Sequence, residues 1–347
     1  MFLERGNENR HPFRDGASHT WNKMTTKEKL LELFESSRDV YLSGEGIAQK
    51  LSVSRAAVWK AVKALQNEGY PIDAVTKKGY CLSNQTDVLS AQGIRKYLRS
   101  EIQNNEICVM DVAESTNASV RDKANMGKPE GYMILANEQT AGRGRLGRSF
   151  FSPKDSGIYM SLLLRPGNYS SKQAARITTM AAVAICEAIE EVSEEKAEIK
   201  WVNDVFVRGK KVCGILTEGA FNLESGLLDY AVLGVGINVY QPQGGFPDEL
   251  SPIAGAVFQE KQNDAKNRLV STFLNRFYGY YHAGDSTDYV EEYRKRSFVI
   301  GKQVTLTAFN ESKNAVVVGI DEECRLLVKY PDGTQECFSS GEISVCV

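Results

Sequence analysis

The sequence predicts a multidomain α+β protein. A winged helix-turn-helix covers residues 25–83, a linker 84–90, a central mixed α/β domain 91–295, and a small β-barrel 296–347. Three observations carry this. Three short helical patterns and two short strands open the chain, apolar strand runs alternate with helical stretches through its middle, and closely spaced alternating strands fill its end. At 347 residues the chain exceeds one ordinary domain, and 42% hydrophobic with 25% charged residues are globular values. No apolar run reaches the length needed to cross a bilayer, so no membrane partner is expected. A net charge of −2 gives no general attraction to DNA, and any nucleic-acid contact must come from one face.

Residues 1–24 are polar, charged throughout and without an apolar core segment, which reads as a disordered tail and not a signal peptide. Seven cysteines at scattered spacings, with no C-x-x-C pair, point to reduced thiols in a cytoplasm. Of three histidines, His11 and His19 fall in the tail. A Ser-His or Cys-His hydrolase would have to use His282 alone, and a histidine-rich metal site is excluded.

In the first domain Leu30, Leu31 and Phe34 mark one helix, residues 44–51 a second, and the third carries Val58, Ala61, Val62 and Leu65 at i, i+3, i+4, i+7. Gly69 stops it and Ser52 or Ser54 caps it. Its other face presents Arg55, Trp59, Lys60 and Lys63, and Lys77 and Lys78 occupy the turn between two following strands. The 54–63 face would enter a major groove while Lys77 and Lys78 touch phosphates. Such domains also serve as spacers, and nine Lys/Arg against seven Asp/Glu over 24–83 is a small excess.

The central domain is organised around Gln139-Thr-Ala-Gly-Arg-Gly-Arg-Leu-Gly-Arg-Ser-Phe-Phe-Ser152, where glycines and arginines alternate with no acidic residue. Glycine lets main-chain N–H groups approach an anion and arginine offers fixed planar donors. Gly142, Gly144 and Gly147 satisfy G-x-G-x-x-G, and residues 142–149 miss a P-loop only at Arg148. Both motifs need a helix next. A turn and the strand run 158–164 follow instead, so both readings are rejected, while a solvated loop or one binding nucleic acid unspecifically stays open.

Ser115, Thr116 and Asn117 precede a helix over 118–126, either as plain caps or as readers of a small ligand's amide edge. An alanine-rich helix over 171–195 packs on a sheet through Ala181, Ala184, Ile185, Ala188 and Ile189. In Ile199-Lys-Trp-Val-Asn-Asp204, alternation sets Lys200 opposite Ile199 and Trp201 beside a tight turn. A strand lysine is commonly a solvated edge residue; the apolar flanks argue for an interior one needing an anion. Gly234 and Gly236, followed by Asn238, would let a flat group lie on a strand, or mark bulges. Residues 263–284 read as an amphipathic helix.

In order, Gly142-Arg-Gly-Arg-Leu-Gly-Arg148, Lys200-Trp-Val-Asn-Asp204, Gly214-Ile-Leu-Thr-Glu218 and Gly234-Val-Gly-Ile-Asn238 resemble the biotin protein ligases. Ser54-Arg-Ala-Ala-Val-Trp-Lys60 resembles the winged helix of the bifunctional members that also act as biotin-operon repressors, and Glu342-Ile-Ser-Val345 the end of the family's SH3-like C-terminal domain. The resemblance covers the chain from about residue 25 onward. It implies a central domain of the biotin/lipoate ligase type that joins biotin to ATP as biotinyl-5′-AMP, with Mg²⁺, and passes biotin to a lysine of a biotin carboxyl carrier protein. It also implies operator binding and a homodimer favoured by the adenylate.

By the same resemblance Lys200, Arg145 and Arg148 are catalytic. Ser115, Thr116, Asn117, Gln139, Arg143, Gly144, Arg145 and Lys200 meet biotin; Gly142, Arg148, Phe150, Asn203 and Asn238 meet the nucleotide. Two departures stand out: Val202 where the family commonly has proline, giving a less rigid turn, and Phe150 where many members have tryptophan, which bears on nucleotide affinity. Other readings are a ligase whose winged helix is structural, a lipoate or octanoate transferase, which the Gly-Arg-Gly-Arg loop disfavours, and a ligand-sensing transcription factor without catalysis.

Overall fold

The computed structural model describes residues 24–345 apart from positions 168, 223, 285, 309 and 310. The expected tail, Met24 excepted, and Cys346 lie outside the described residues. The chain divides into two compact units, residues 1–86 and 87–347.

In the first unit α1 (Thr26–Glu35), α2 (Gly44–Leu51) and α3 (Arg55–Asn67) precede an antiparallel pair, β1 (Ile72–Val75) and β2 (Gly79–Leu82). Thr25 and Glu28 close a capping box on α1, and Ser54 caps α3 by accepting from Ala57 N at 3.2 Å. Leu30, Phe34, Ile47, Val58, Val62, Leu65 and Leu82 form the core, so the apolar stripe of α3 fixes which face stays outside. Gly79 has φ +109° and a side chain there would meet Leu42 O at 2.1 Å, which requires glycine where the wing folds back.

The second unit is built on a seven-stranded sheet in the order β3-β4-β5-β9-β8-β7-β6. Its strands are β3 (Ile107–Ala113), β4 (Met133–Gln139), β5 (Gly157–Leu164), β6 (Ala197–Lys200), β7 (Asp204–Val207), β8 (Lys210–Phe221) and β9 (Leu228–Asn238). Only β3 and β4 run parallel. A short α4 (Ala91–Arg95) enters the unit. On one face α6 (Ser171–Ser193) and α7 (Ala265–His282) cover Ile158, Met160, Leu162, Leu233 and Val235. On the other, α5 (Thr116–Asn125) covers Ile134, Leu163 and Val232. Every residue of β5 is therefore buried, as its unbroken apolar run predicts.

α8 (Asp288–Arg296), which the sequence reading omits, buries Tyr289, Val290 and Tyr293 beneath a charged surface. Then β10 (Gln303–Ala308), β11 (Glu311–Ile320), β12 (Leu326–Lys329), β13 (Gln335–Phe338) and β14 (Glu342–Val345) form a five-stranded antiparallel SH3-like sheet. Val304, Leu306, Val317 and Leu326 join the core of the central sheet. Asp87 also packs into this unit, taking Tyr240 OH at 2.5 Å and Lys266 N at 2.8 Å, so the expected linker is anchored from that residue on.

Candidate active site

On the α5 face of the sheet a floor of small residues opens. Ser161 pairs with Gly234, and Gly236 with Gly214, so the strip along β9 and β8 is low there, bordered by Leu216 and Tyr159. Above it lies a cavity of about 220 Å³. The close approaches are made by the protein's own groups. A side chain on Gly234 would meet Asn117 Oδ1 at 2.2 Å, and one on Gly236 would meet the Phe150 ring at 2.5 Å. The flat group expected on these glycines is thus an amide and a phenyl ring from distant parts of the chain.

One end of the cavity is a hydrogen-bond chain. Thr116 donates from N and Oγ1 to Gln139 Oε1 at 2.9 and 3.1 Å, and Gln139 Nε2 donates to Ser152 Oγ at 3.0 Å. Asn117 Nδ2 donates to Glu218 Oε2 at 2.7 Å and to Leu216 O at 3.3 Å. Ser115 occupies the N-cap position of α5 but its side chain makes no capping bond, and it lines the cavity. Ser161 is the residue the sequence reading misses. Fully buried on β5, its Oγ lies 2.6 Å from Asn117 Oδ1 and 2.8 Å from Thr116 Oγ1, bracing both. The signal was a serine within an apolar run buried on both faces, where a polar group needs a partner. Ser161→Ala is expected to raise the KM for the small ligand about five- to tenfold at unchanged kcat, matching removal of one buried hydrogen bond of about 1 kcal/mol. An unchanged KM in steady-state kinetics would remove Ser161 from the site.

The other end is cationic. The loop 140–152 closes on itself: Phe150 N donates to Gly142 O, Gly144 N to Arg148 O, and a 3₁₀ turn (Arg145–Gly147) forms its tip with Leu146 exposed. Arg143, Gly144, Arg145, Arg148 and Phe150 line the cavity. Arg145 Nη1 donates to Asn203 Oδ1 at 3.0 Å and Nη2 to Gly341 O at 3.4 Å, while Asn203 Nδ2 is fixed on Ile215 O at 2.8 Å. Lys200 ends β6, half-buried, and faces the same cavity. Although β6 is the outermost strand, Ile199 bridges to Ser297, so that edge is covered. The turn after Lys200 is held from the C-terminal side: Trp201 Nε1 donates to Cys324 O and Tyr293 OH to Val202 O, each at 3.0 Å. The Trp201–Val202 peptide is cis.

Gly142 and Asn238 do not reach the cavity. Gly142 is buried under Phe150 O and Ser152 Oγ, and Asn238 Nδ2 donates to Gly255 O at 3.0 Å, tying down the segment that follows β9. Ser54, Arg55, Trp59, Lys60, Lys63, Lys77 and Lys78 belong to the first unit, all exposed; Trp59, at 53% exposure, is a large ring open to solvent.

Residues 109–238 match the biotin/lipoate A/B protein ligase family, 26–81 an HTH domain and 299–345 the biotin protein ligase C-terminal domain. The bifunctional ligase/repressor BirA of Bacillus subtilis is 35% identical over 92% of this chain and 98% of its own length. The chain belongs to the bifunctional biotin ligase/repressor family. The Escherichia coli member is 26% identical over 92% of this chain and 97% of its own. Family folds extend to the biotin protein ligase of Aquifex aeolicus solved with biotin and ATP, which covers 70% of this chain and 98% of its own at 24% identity, with a TM-score of 0.57. The helix-turn-helix, ligase and C-terminal segments follow one another in that order along the chain.

Proposed function

We propose that the protein is an ATP-dependent biotin protein ligase that forms biotinyl-5′-AMP, transfers biotin to a lysine of a biotin carboxyl carrier protein, and uses its winged helix as a biotin-responsive repressor on operator DNA. The observation that carries this is the meeting of Arg145 and Lys200 with the Ser115, Thr116, Asn117 and Gln139 cluster in one cavity. A ureido ring needs donors and acceptors together, which hydroxyls and amides supply. Ser115, Thr116, Asn117, Gln139, Arg143 and Gly144 hold biotin; Phe150, Asn203 and Arg148 serve the nucleotide, with Gly142 and Asn238 shaping the segments around it.

In the first step a biotin carboxylate oxygen bonds to the α-phosphorus and pyrophosphate leaves; no proton moves. Two anions must be brought together, so fixed cations aimed at both lower the barrier most. Lys200 bridges carboxylate and α-phosphate, and Arg145, held by Asn203 and Gly341, is already oriented. In the second step the neutral carrier amine attacks the acyl carbon, the acyl–oxygen bond to phosphate breaks, AMP departs with the electron pair, and the amine's proton is released to solvent. Among the described residues no group of three metal-ligating side chains forms. Mg²⁺ commonly binds through substrate phosphates and one or two carboxylates; Asp204 is the carboxylate in the lining, and the ion would offset phosphate charge there.

The deciding assay incubates the protein with biotin, MgATP and a carrier domain and weighs the carrier; no gain of a biotinyl group would reject the ligase reading. Arg143 and Arg148 are exposed in the free protein. Trypsin is expected to cut near residues 143–148, and biotin with ATP to suppress the cut as the loop orders over the adenylate and shields it from water. Cutting at an unchanged rate would count against closure. Adenylate-driven dimerisation belongs to the same reading and is measured by sedimentation. No helix among the described residues is long and apolar enough to cross a membrane.

A further inference from the structure

A second lysine stands in the cavity wall with no part in the steps above. Lys211, at the start of β8, sets its ammonium 2.7 Å from Asp204 Oδ1, and the two side chains are 31% and 21% exposed. Alternation along β8 would turn Lys211 away from Gly214. The ladder slips between Val205 and Phe206, so that Val205 faces Cys213 but Phe206 faces Lys211, and this extra residue brings Lys211 round. A side chain on Gly214 would meet Lys211 Cε at 3.5 Å and the Phe150 ring at 3.1 Å, so the lysine stem and the phenyl ring share one face. The backbone of Lys211 is fixed as well: its N donates to Ile253 O at 2.8 Å and its O accepts from Gly255 N at 2.9 Å.

β8 then serves as a ruler through the cavity. Leu216 O takes the Asn117 amide at the hydrogen-bonding end. Gly214 pairs with Asp204, which pairs with Lys200, so this level is where carboxylate and α-phosphate meet. The bulge shortens the path, so the Lys211 backbone lies two ladder steps from Gly214, roughly 7 Å at about 3.3 Å per strand residue, and its side chain turns back to set the ammonium against Asp204 at that level. A ligand pair laid from Asn117 to Lys200 brings its phosphates beside that ammonium. What meets an ammonium there is anionic oxygen, because a neutral base offers no charge to replace the Asp204 carboxylate.

We propose that Lys211 receives phosphate oxygens of ATP beside the bond that breaks, and with them the departing pyrophosphate, and that Asp204 holds its ammonium in place until they arrive. This rests on the ligase reading. As the carboxylate oxygen bonds to the α-phosphorus, the bond to the bridging oxygen breaks and its electron pair leaves on pyrophosphate, beside a cation mounted on the sheet. Lys211 is thus distinct from Arg148, which rides on the loop.

Two half-reactions of the full chain separate the roles. Biotin-dependent exchange of labelled pyrophosphate into ATP reports the first, and transfer from synthetic biotinyl-5′-AMP to a carrier domain the second. Lys211→Met is expected to raise the KM for MgATP and slow exchange about tenfold or more, with transfer from the preformed adenylate and biotin binding within about twofold of wild type. Lys211→Arg should restore most of the exchange. Unchanged exchange in Lys211→Met overturns the proposal, as does a proportional loss of exchange, transfer and biotin binding. Should Lys211→Met lower the unfolding midpoint, rates per folded molecule for Lys211→Gln and Lys211→Arg decide, equal rates being the overturning result. A wild-type chain without exchange would fail the ligase reading itself, whereas the variants bear on Lys211 only when wild type is active.

Discussion

Lys200→Ala is expected to abolish detectable biotinylation, with adenylate formation slowed about 10²–10³-fold, the usual cost of removing one fixed transition-state charge or donor. The size follows from where the lysine is held. Its strand end is pinned through Trp201 to Cys324 and through Val202 to Tyr293, so little reorganisation precedes reaction. Arg145 is already committed to Asn203 and Gly341. Biotin binding, which depends more on the Thr116, Asn117 and Gln139 chain, should weaken far less than kcat, and operator binding by the ligand-free chain should not change. Single-turnover formation of labelled adenylate checks the first claim and calorimetry with biotin the second. A variant retaining a tenth of wild-type turnover would remove Lys200 from the chemistry.

Much of this was written into local sequence. The α3 stripe of Val58, Ala61, Val62 and Leu65 is buried and its basic face exposed, because helical period alone determines those faces. Alternation placed Ile199 and Trp201 in the core with Lys200 on the other side. What escaped depends on partners far away in the chain. Gly234 and Gly236 read locally as room for a flat group or as bulges, and Asn117 and Phe150, the groups that contact them, lie about a hundred residues upstream. Ser161 matters only because Thr116 and Asn117 arrive over it. Lys211 was hidden by an irregular ladder, since a slip of one residue reverses which side chains face the site. α8 escaped for a different reason: Tyr289, Val290 and Tyr293 are its whole apolar face in an otherwise charged run, too sparse a pattern to distinguish from a loop.

The first unit supplies the other large effect. Replacing both Lys77 and Lys78 with alanine is expected to weaken binding to operator and unrelated DNA alike, and to reduce the slope of log K against log salt by about 1.8, near 0.9 for each phosphate no longer neutralised. Both sit exposed in the turn between β1 and β2, Lys77 with a φ of 67° and Lys78 with its ammonium 5.7 Å from the Tyr41 ring centre. Changes on α3 should behave differently. Arg55→Ala should cost about 1–3 kcal/mol on operator DNA and much less on unrelated DNA, because a base-edge contact carries sequence information that a phosphate contact lacks. Ser54 caps the helix carrying it, and the only ion pair to Arg55 among the described residues is a loose 3.8 Å contact with Glu45, so the guanidinium can turn into a groove without breaking a strong interaction. Fluorescence anisotropy at several salt concentrations separates the two classes, and biotinylation by either variant should equal wild type. Parallel losses on both DNAs for Arg55→Ala would make it a phosphate contact, and no loss from any of these changes would leave the winged helix as a structural module of a ligase.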